Sequence, residues 1–273
     1  MTDEKRRVVL VTGAAGGIGA AITRALIRAG HTVVAVDRDA AGLARLGATS
    51  GYIHPLVAEL AHEVACRELV AAMVKRYGRI DAVVNNAGIG PSSLRPDAEL
   101  NLPRIEELTA EIWDNFFAIN VRAPMLLTQA ALPHMRKGGF GRVINNTTSF
   151  RTMLRVLPYG ATKSALESMS AIWAAELKGD GVTVNVLIPG GPTDTPFISD
   201  GAGWDRAKML RPEIMGPPAC WLISDEAAGY TGQRIIAANW DAKLSGAEAA
   251  ARAGRAIGWP ELGADAVWLQ GKS

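Results

Sequence analysis

A short apolar run, Val8–Thr12, opens directly onto Gly13-Ala14-Ala15-Gly16-Gly17-Ile18-Gly19, and a stretch with helical spacing of apolar residues follows to Gly30. No other feature restricts the fold of this chain so tightly. An apolar run without polar alternation marks a strand buried on both faces, the habit of parallel sheets. The turn after it is glycine-rich because glycine adopts positive φ without strain and lets a ligand approach the backbone. A helix that begins in such a turn presents free N–H groups and the positive end of its dipole, a seat for phosphate. A second strand over 31–36 ends at Asp37, eighteen residues after Gly19. A carboxylate there accepts hydrogen bonds from ribose hydroxyls, and glycine turn and carboxylate together form a dinucleotide signature. The competing explanation for Asp37 is an N-cap for the next helix.

The rhythm continues along the chain. Apolar periodicity predicts helices over 40–46, 63–77, 113–135, 159–178 and 213–224. Strands are predicted near 51–57 and over 82–85, 142–146, 183–188 and 234–238, the last completing the sheet. Strand and helix alternating in this way imply right-handed βαβ crossovers, hence an α/β fold with a doubly wound parallel sheet. Residues 1–240 are expected to form a single domain. Two segments, 88–110 and 197–212, are expected to build the substrate pocket, since loops at the carboxyl ends of such strands do so. Residues 241–273, with Trp259 and Trp268, read as an extension packed on the same domain or on a neighbouring subunit.

Composition removes several classes of function. With 48% hydrophobic and 21% charged residues in 273, the chain has the make-up of an ordinary globule. Its net charge of +2, without a basic block, argues against nucleic acid as a partner. Four scattered histidines and two distant cysteines, Cys66 and Cys220, fit no ligand spacing, so no metal is expected. No stretch approaches the ~20 apolar residues of a membrane span. The run Val8–Thr12 is too short for a secretory signal, and a cytoplasmic location is expected.

Further motifs stand in a fixed order. Gly13, Gly17 and Gly19 set the glycine spacing; Asn85-Asn86-Ala87-Gly88 follows the fourth strand; Asn120 sits in a helix. Tyr159-Gly160-Ala161-Thr162-Lys163 heads a later helix, and Pro189-Gly190 follows the sixth strand. In this order the chain resembles the short-chain dehydrogenase/reductase family, Rossmann-like oxidoreductases that use NAD(P), across roughly residues 6–240. The resemblance implies Tyr159 as general acid/base, with Lys163 and Asn120 completing a proton path. It implies cofactor contacts from Gly13, Gly17, Ile18, Gly19, Asn86, Ala87, Gly88, Pro189 and Gly190, with Lys163 on the ribose. It also implies a homotetramer, built on the helices over 113–135 and 159–178.

Tyr159 and Lys163 are four residues apart and share a helix face. A phenol has an ordinary pKa of ~10, and a neighbouring ammonium favours its ionised form. The chain departs from the family pattern at three places. Thr148 stands where the strand register puts the family's serine, with Ser149 next to it; either hydroxyl can polarise a carbonyl, and the shortened loop favours Ser149. Pro192 has no N–H for the cofactor's carboxamide, which passes that contact to Thr193. Glu59, with Leu60 beside it, replaces the family's aspartate near the adenine.

Asp37 favours NAD by repelling a 2′-phosphate, while Arg38 can clamp that phosphate and keeps NADP open. The expected function is hydride transfer between NAD(H) and a secondary alcohol or ketone. The alternatives are an NADP-dependent ketoreductase and a non-catalytic dinucleotide sensor of the same fold.

Overall fold

Strand β1, Val8–Thr12, lies buried from end to end at the centre of the molecule, a computed structural model that describes residues 6–263. Its alternate side chains serve opposite layers, as the period-2 geometry of a strand requires. Val9 and Val11 pack into a core with helices α1 (Gly17–Arg28) and α2 (Ala40–Gly47). Val8 and Leu10 face the other core, with α3 (Glu63–Tyr77). Each fully buried side chain of this kind stabilises the fold by about 1.5–3 kcal/mol relative to exposure.

Strands β2 (Thr32–Asp37) and β3 (Ile53–Val57) extend the sheet to one side of β1. Strands β4 (Ala82–Asn85), β5 (Gly141–Asn146), β6 (Val182–Ile188) and β7 (Gln233–Ile236) extend it to the other. With a last strand, β8 (Gly254–Ala256), at the far edge, the order is β3-β2-β1-β4-β5-β6-β7-β8, parallel up to β7. The direction of winding reverses between β1 and β4, so a crevice opens at their carboxyl ends. Pro55 is tolerated in β3 because that strand is an edge.

Three expectations change. The predicted helix over 113–135 is two helices, α4 (Ala110–Phe117) and α5 (Ala123–Gly138), joined by a π-helical turn, Ala118–Arg122. The Ala123 N–H reaches back five residues to the Ala118 carbonyl, and Pro124 has no N–H to give Asn120, four residues before it. The predicted helix over 213–224 begins with a 3₁₀ turn, Pro212–Met215, before α8 (Gly216–Ile223).

The strand over 234–238 does not complete the sheet. It gives way to a 3₁₀ turn at Ala237–Asn239, and a further strand from the C-terminal segment adds the edge. Between β5 and helix α7 (Tyr159–Glu176) lies one short helix, α6 (Phe150–Met153). Helix α9 (Gly246–Ala253) starts on a Ser245–Glu248 capping box and buries Ala250 and Ala253 in the first core. It leads into β8 (Gly254–Ala256), antiparallel to β7. Trp268 lies outside the described residues.

Candidate active site

The glycine turn after β1 is held to the β4 exit by Thr12. Its Oγ1 accepts from the N–H groups of Asn86 at 3.1 Å and Ala87 at 3.0 Å. Asn86 Nδ2 returns hydrogen bonds to the carbonyls of Thr12 (3.0 Å) and Gly13 (3.2 Å). The approach is so close that a Cβ on Gly19 would lie 2.0 Å from the Gly13 carbonyl oxygen. Gly13 itself has φ +64° and no room beside Ala87. Thr12 was not singled out from the sequence; a hydroxyl closing a buried strand beside a glycine turn is the signal that marks it.

Asp37 is aimed by two backbone donors, Ala15 N–H at 3.0 Å and Asp39 N–H at 3.1 Å. The N-cap of α2 is Asp39, whose side chain accepts from Gly42 N–H. Asp37 is therefore not the cap and faces the crevice. Arg38 stands 3.9 Å from Glu59, both well exposed. On the far wall, Leu210 takes the Pro192 carbonyl and the Asp194 N–H, leaving Thr193 between them at the cleft surface.

The chemistry-bearing side chains gather at the heads of α7 and β5. Tyr159 and Lys163 are both buried on the first turns of α7. Lys163 Nζ donates to the Asn146 carbonyl at 2.7 Å and lies 5.7 Å from the Tyr159 ring centre. Burial pulls the Lys163 ammonium down to about 8. Burial pushes the Tyr159 phenol above its ordinary value, and hydrogen bonding with the Thr148 side chain draws it part of the way back. Desolvation is the largest influence on the phenol.

Asn120 is fully buried in the π-helical turn. Its Oδ1 accepts from Ile89 N–H (2.9 Å), and its Nδ2 donates to the Ile89 carbonyl and to Thr162 Oγ1, both at 3.0 Å. It thus pins the loop after β4 to the first turns of α7. Ser149 and Thr148 both line the cleft but stand in different surroundings. Ser149 Oγ is the N-cap of α6, accepting from Thr152 N–H at 3.2 Å and pairing with Thr152 Oγ1 at 2.8 Å. Thr148 lines the cleft beside Tyr159, and its side chain is the one that draws the phenol's pKa down.

All the candidate residues except Gly19 and Asn120 line one cleft of about 1060 Å³. That is at the top of the range of about 300–1,000 Å³ for ligand sites, so it has room for a dinucleotide and a small substrate. The glycine cradle, the aimed carboxylate of Asp37 and the Tyr159–Lys163 pair fit such a cofactor along its length. Phe197, Ile198 and Trp204 of segment 197–212 line the cleft, with the Phe197 ring 5.6 Å from that of Tyr159. Arg151 and Arg155 line it too. Among the described residues no cluster of histidine, cysteine and acidic side chains could hold a metal, and no helix is long and apolar enough to cross a membrane.

Residues 7–202 match the short chain dehydrogenase family. The chain is 31% identical over 250 residues to the D-threitol dehydrogenase of Mycolicibacterium smegmatis, covering 84% of this chain and 90% of that one. It is 32% identical over 244 residues to the 3-oxoacyl-[acyl-carrier-protein] reductase of Thermotoga maritima, covering 84% and 95%. Among solved structures, the 3-ketoacyl-(acyl-carrier-protein) reductase of Brucella melitensis complexed with NADH superposes with a TM-score of 0.71 at 27% identity, over 84% of this chain and 95% of that one. The protein belongs to the short-chain dehydrogenase/reductase family. It is an NAD(P)-dependent oxidoreductase with a Rossmann-like fold.

Proposed function

We propose that the protein interconverts a secondary alcohol and its ketone, using NAD(H) in preference to NADP(H), with Tyr159 as the acid/base. The observation that carries this reading is one cleft that brings together Tyr159, Lys163 one helical turn from it, the side chains of Thr148 and Ser149, and Asp37. The nicotinamide, when bound, accepts or donates the hydride. Tyr159 Oη takes the proton from the substrate hydroxyl during oxidation and returns it during reduction. Thr148 Oγ1 holds the substrate oxygen, a contact that strengthens as charge develops there. Lys163 holds the ribose hydroxyls, and Asn120 fixes the helix turn from which both Tyr159 and Lys163 project.

Phe197 and Trp204 shape a small, partly apolar substrate end. The relatives' names, a threitol dehydrogenase and a 3-oxoacyl reductase, support a hydroxy or keto substrate. The preference for NAD(H) follows from Asp37, already oriented by two N–H donors. Arg38 supports the NADP(H) alternative, because its exposed pairing with Glu59 is weak and leaves it able to swing toward a 2′-phosphate. A homotetramer is our reading of the exposed Trp113, Met125 and Ile172 on α4, α5 and α7.

Turnover of D-threitol and of a 3-oxoacyl thioester, with each cofactor, tests the reading alongside two variants. Thr148→Val should lose most of its turnover with cofactor affinity intact, while Ser149→Ala should keep most of it. Tighter calorimetric binding of NADPH than NADH would overturn the cofactor preference.

A further inference from the structure

Strand β5 pairs with β6 only as far as Asn146 opposite Leu187. Thr147 and Thr148 leave the sheet beyond that rung, yet Thr148 lines the cleft with Tyr159 and its side chain lowers the phenol's pKa. Backbone outside a ladder keeps its place only if its polar groups are held by something else. Here the holder is a buried ion pair. Glu167 Oε2 accepts from Thr147 Oγ1 at 2.7 Å and from Arg234 Nη1 at 2.6 Å. Arg234 Nη2 donates to the Thr148 carbonyl.

Glu167 is on α7, eight residues beyond Tyr159 and four beyond Lys163, so the three follow one stripe of the helix. Arg234 is anchored in β7, between Val186 of β6 and Arg255 of β8. Both side chains are largely withdrawn from solvent, 1% and 11% exposed, and neither lines the cleft. A buried ion pair is a poor way to gain stability, since an apolar pair of similar volume usually stabilises a fold as well or better. Glu167 Oε1 has no hydrogen-bond partner among the described residues, a further cost to the fold. A guanidinium that donates to two acceptors at once does, however, fix geometry as an apolar contact cannot.

We infer that Glu167 and Arg234 are positioning residues for the reaction: the pair locks the Thr147–Thr148 exit to α7 and so sets the Thr148 hydroxyl against Tyr159. This rests on the roles proposed for Tyr159 and Thr148.

The test uses Arg234→Met, Arg234→Lys and the double variant Glu167→Met/Arg234→Met, with D-threitol and a 3-oxoacyl thioester as probes. Arg234→Met strands the Glu167 carboxylate and should lose both melting temperature and turnover. The double variant removes that stranded charge and should melt close to the wild type. Its kcat should nonetheless stay ~10-fold or more below wild type, because small misplacements of a reacting group are expensive. NADH affinity should be unchanged. The rising limb of alcohol oxidation should move to higher pH, because the phenol loses the Thr148 hydrogen bond that lowers its pKa. Arg234→Lys keeps the charge but only one of the two contacts and should fall between.

A double variant with wild-type kcat and pH profile would overturn the inference. A crystal structure of the double variant is the arm that needs no substrate: Thr148 Oγ1 within ~0.5 Å of its wild-type position would also overturn it. Tyr159→Phe in the same assay separates the two ideas, for wild-type turnover there removes the tyrosine's role while the crystal structure still judges the pair.

Discussion

The nucleotide side and the substrate side of the cleft are held by different forces. Between β1 and β4 the chain is fixed through its backbone: Thr12 ties two N–H groups of the β4 exit, and Gly13 and Gly19 pass within contact of neighbouring main chain. The segments at the substrate end are runs of 3₁₀ turns held by side-chain ion pairs. Arg206 donates to Asp194 (2.9 Å), Asp200 (2.7 Å) and the Ile198 carbonyl (2.8 Å). Arg95 does the same for Glu107 (2.8 Å) and the Asn101 carbonyl (2.7 Å). Backbone contact admits few sequences and so leaves a motif. Ion pairs on loops can be exchanged without disturbing the sheet, so these segments are free to vary while the backbone-held side is not.

The largest effect should come from the backbone side. Gly19→Ala sets a Cβ against a main-chain oxygen that has nowhere to go, at a strain of about 1–3 kcal/mol. NADH affinity by calorimetry should fall ~10-fold or more, in proportion to that strain; unchanged affinity would break the comparison.

Lys163 sharpens it through pH. Its folded pKa is lowered to about 8, so the ammonium is present below that pH and lost as pH rises through it. NADH affinity should weaken across the same range, and Lys163→Met should bind weakly with no pH dependence. Stability should run the other way. The unfolded chain keeps this proton to ~10.4 and the fold releases it near 8, so stability rises with pH between the two. Lys163→Met should therefore raise the melting temperature most below pH 8.

The smallest effect belongs to the substrate side. Arg206→Ala frees segment 197–212, and substrate KM should rise several-fold with NADH affinity unchanged. Because these ion pairs are partly exposed, added salt should move the wild type in the same direction. A loss of cofactor affinity in Arg206→Ala would show that the two halves are coupled.

What the sequence made legible follows the same division. The apolar run into the glycine turn, Asp37 eighteen residues on, and Tyr159 with Lys163 are short-range patterns imposed by backbone geometry and helix spacing. The π-helical turn at Asn120 hides because helical periodicity runs smoothly through it; Pro124 is its trace. The strand register points to Thr148 and the shortened loop to Ser149; that Ser149 caps a helix is legible only once that helix is seen. Strand β8 is too short, Gly254–Ala256, to carry any period. Glu167 and Arg234 meet across 67 residues, a pairing that no local pattern records.

The central claim is that Tyr159 moves the proton, and the steady-state turnover of Tyr159→Phe tests it most directly. Phenylalanine keeps the ring that packs on Phe197 and leaves the cofactor cradle untouched. NADH should therefore bind Tyr159→Phe as it binds the wild type, while kcat for any alcohol or ketone that the wild type turns over falls by ~10²-fold or more, as expected on losing a general acid–base group. Turnover near the wild-type rate, with NADH still bound, would contradict the account.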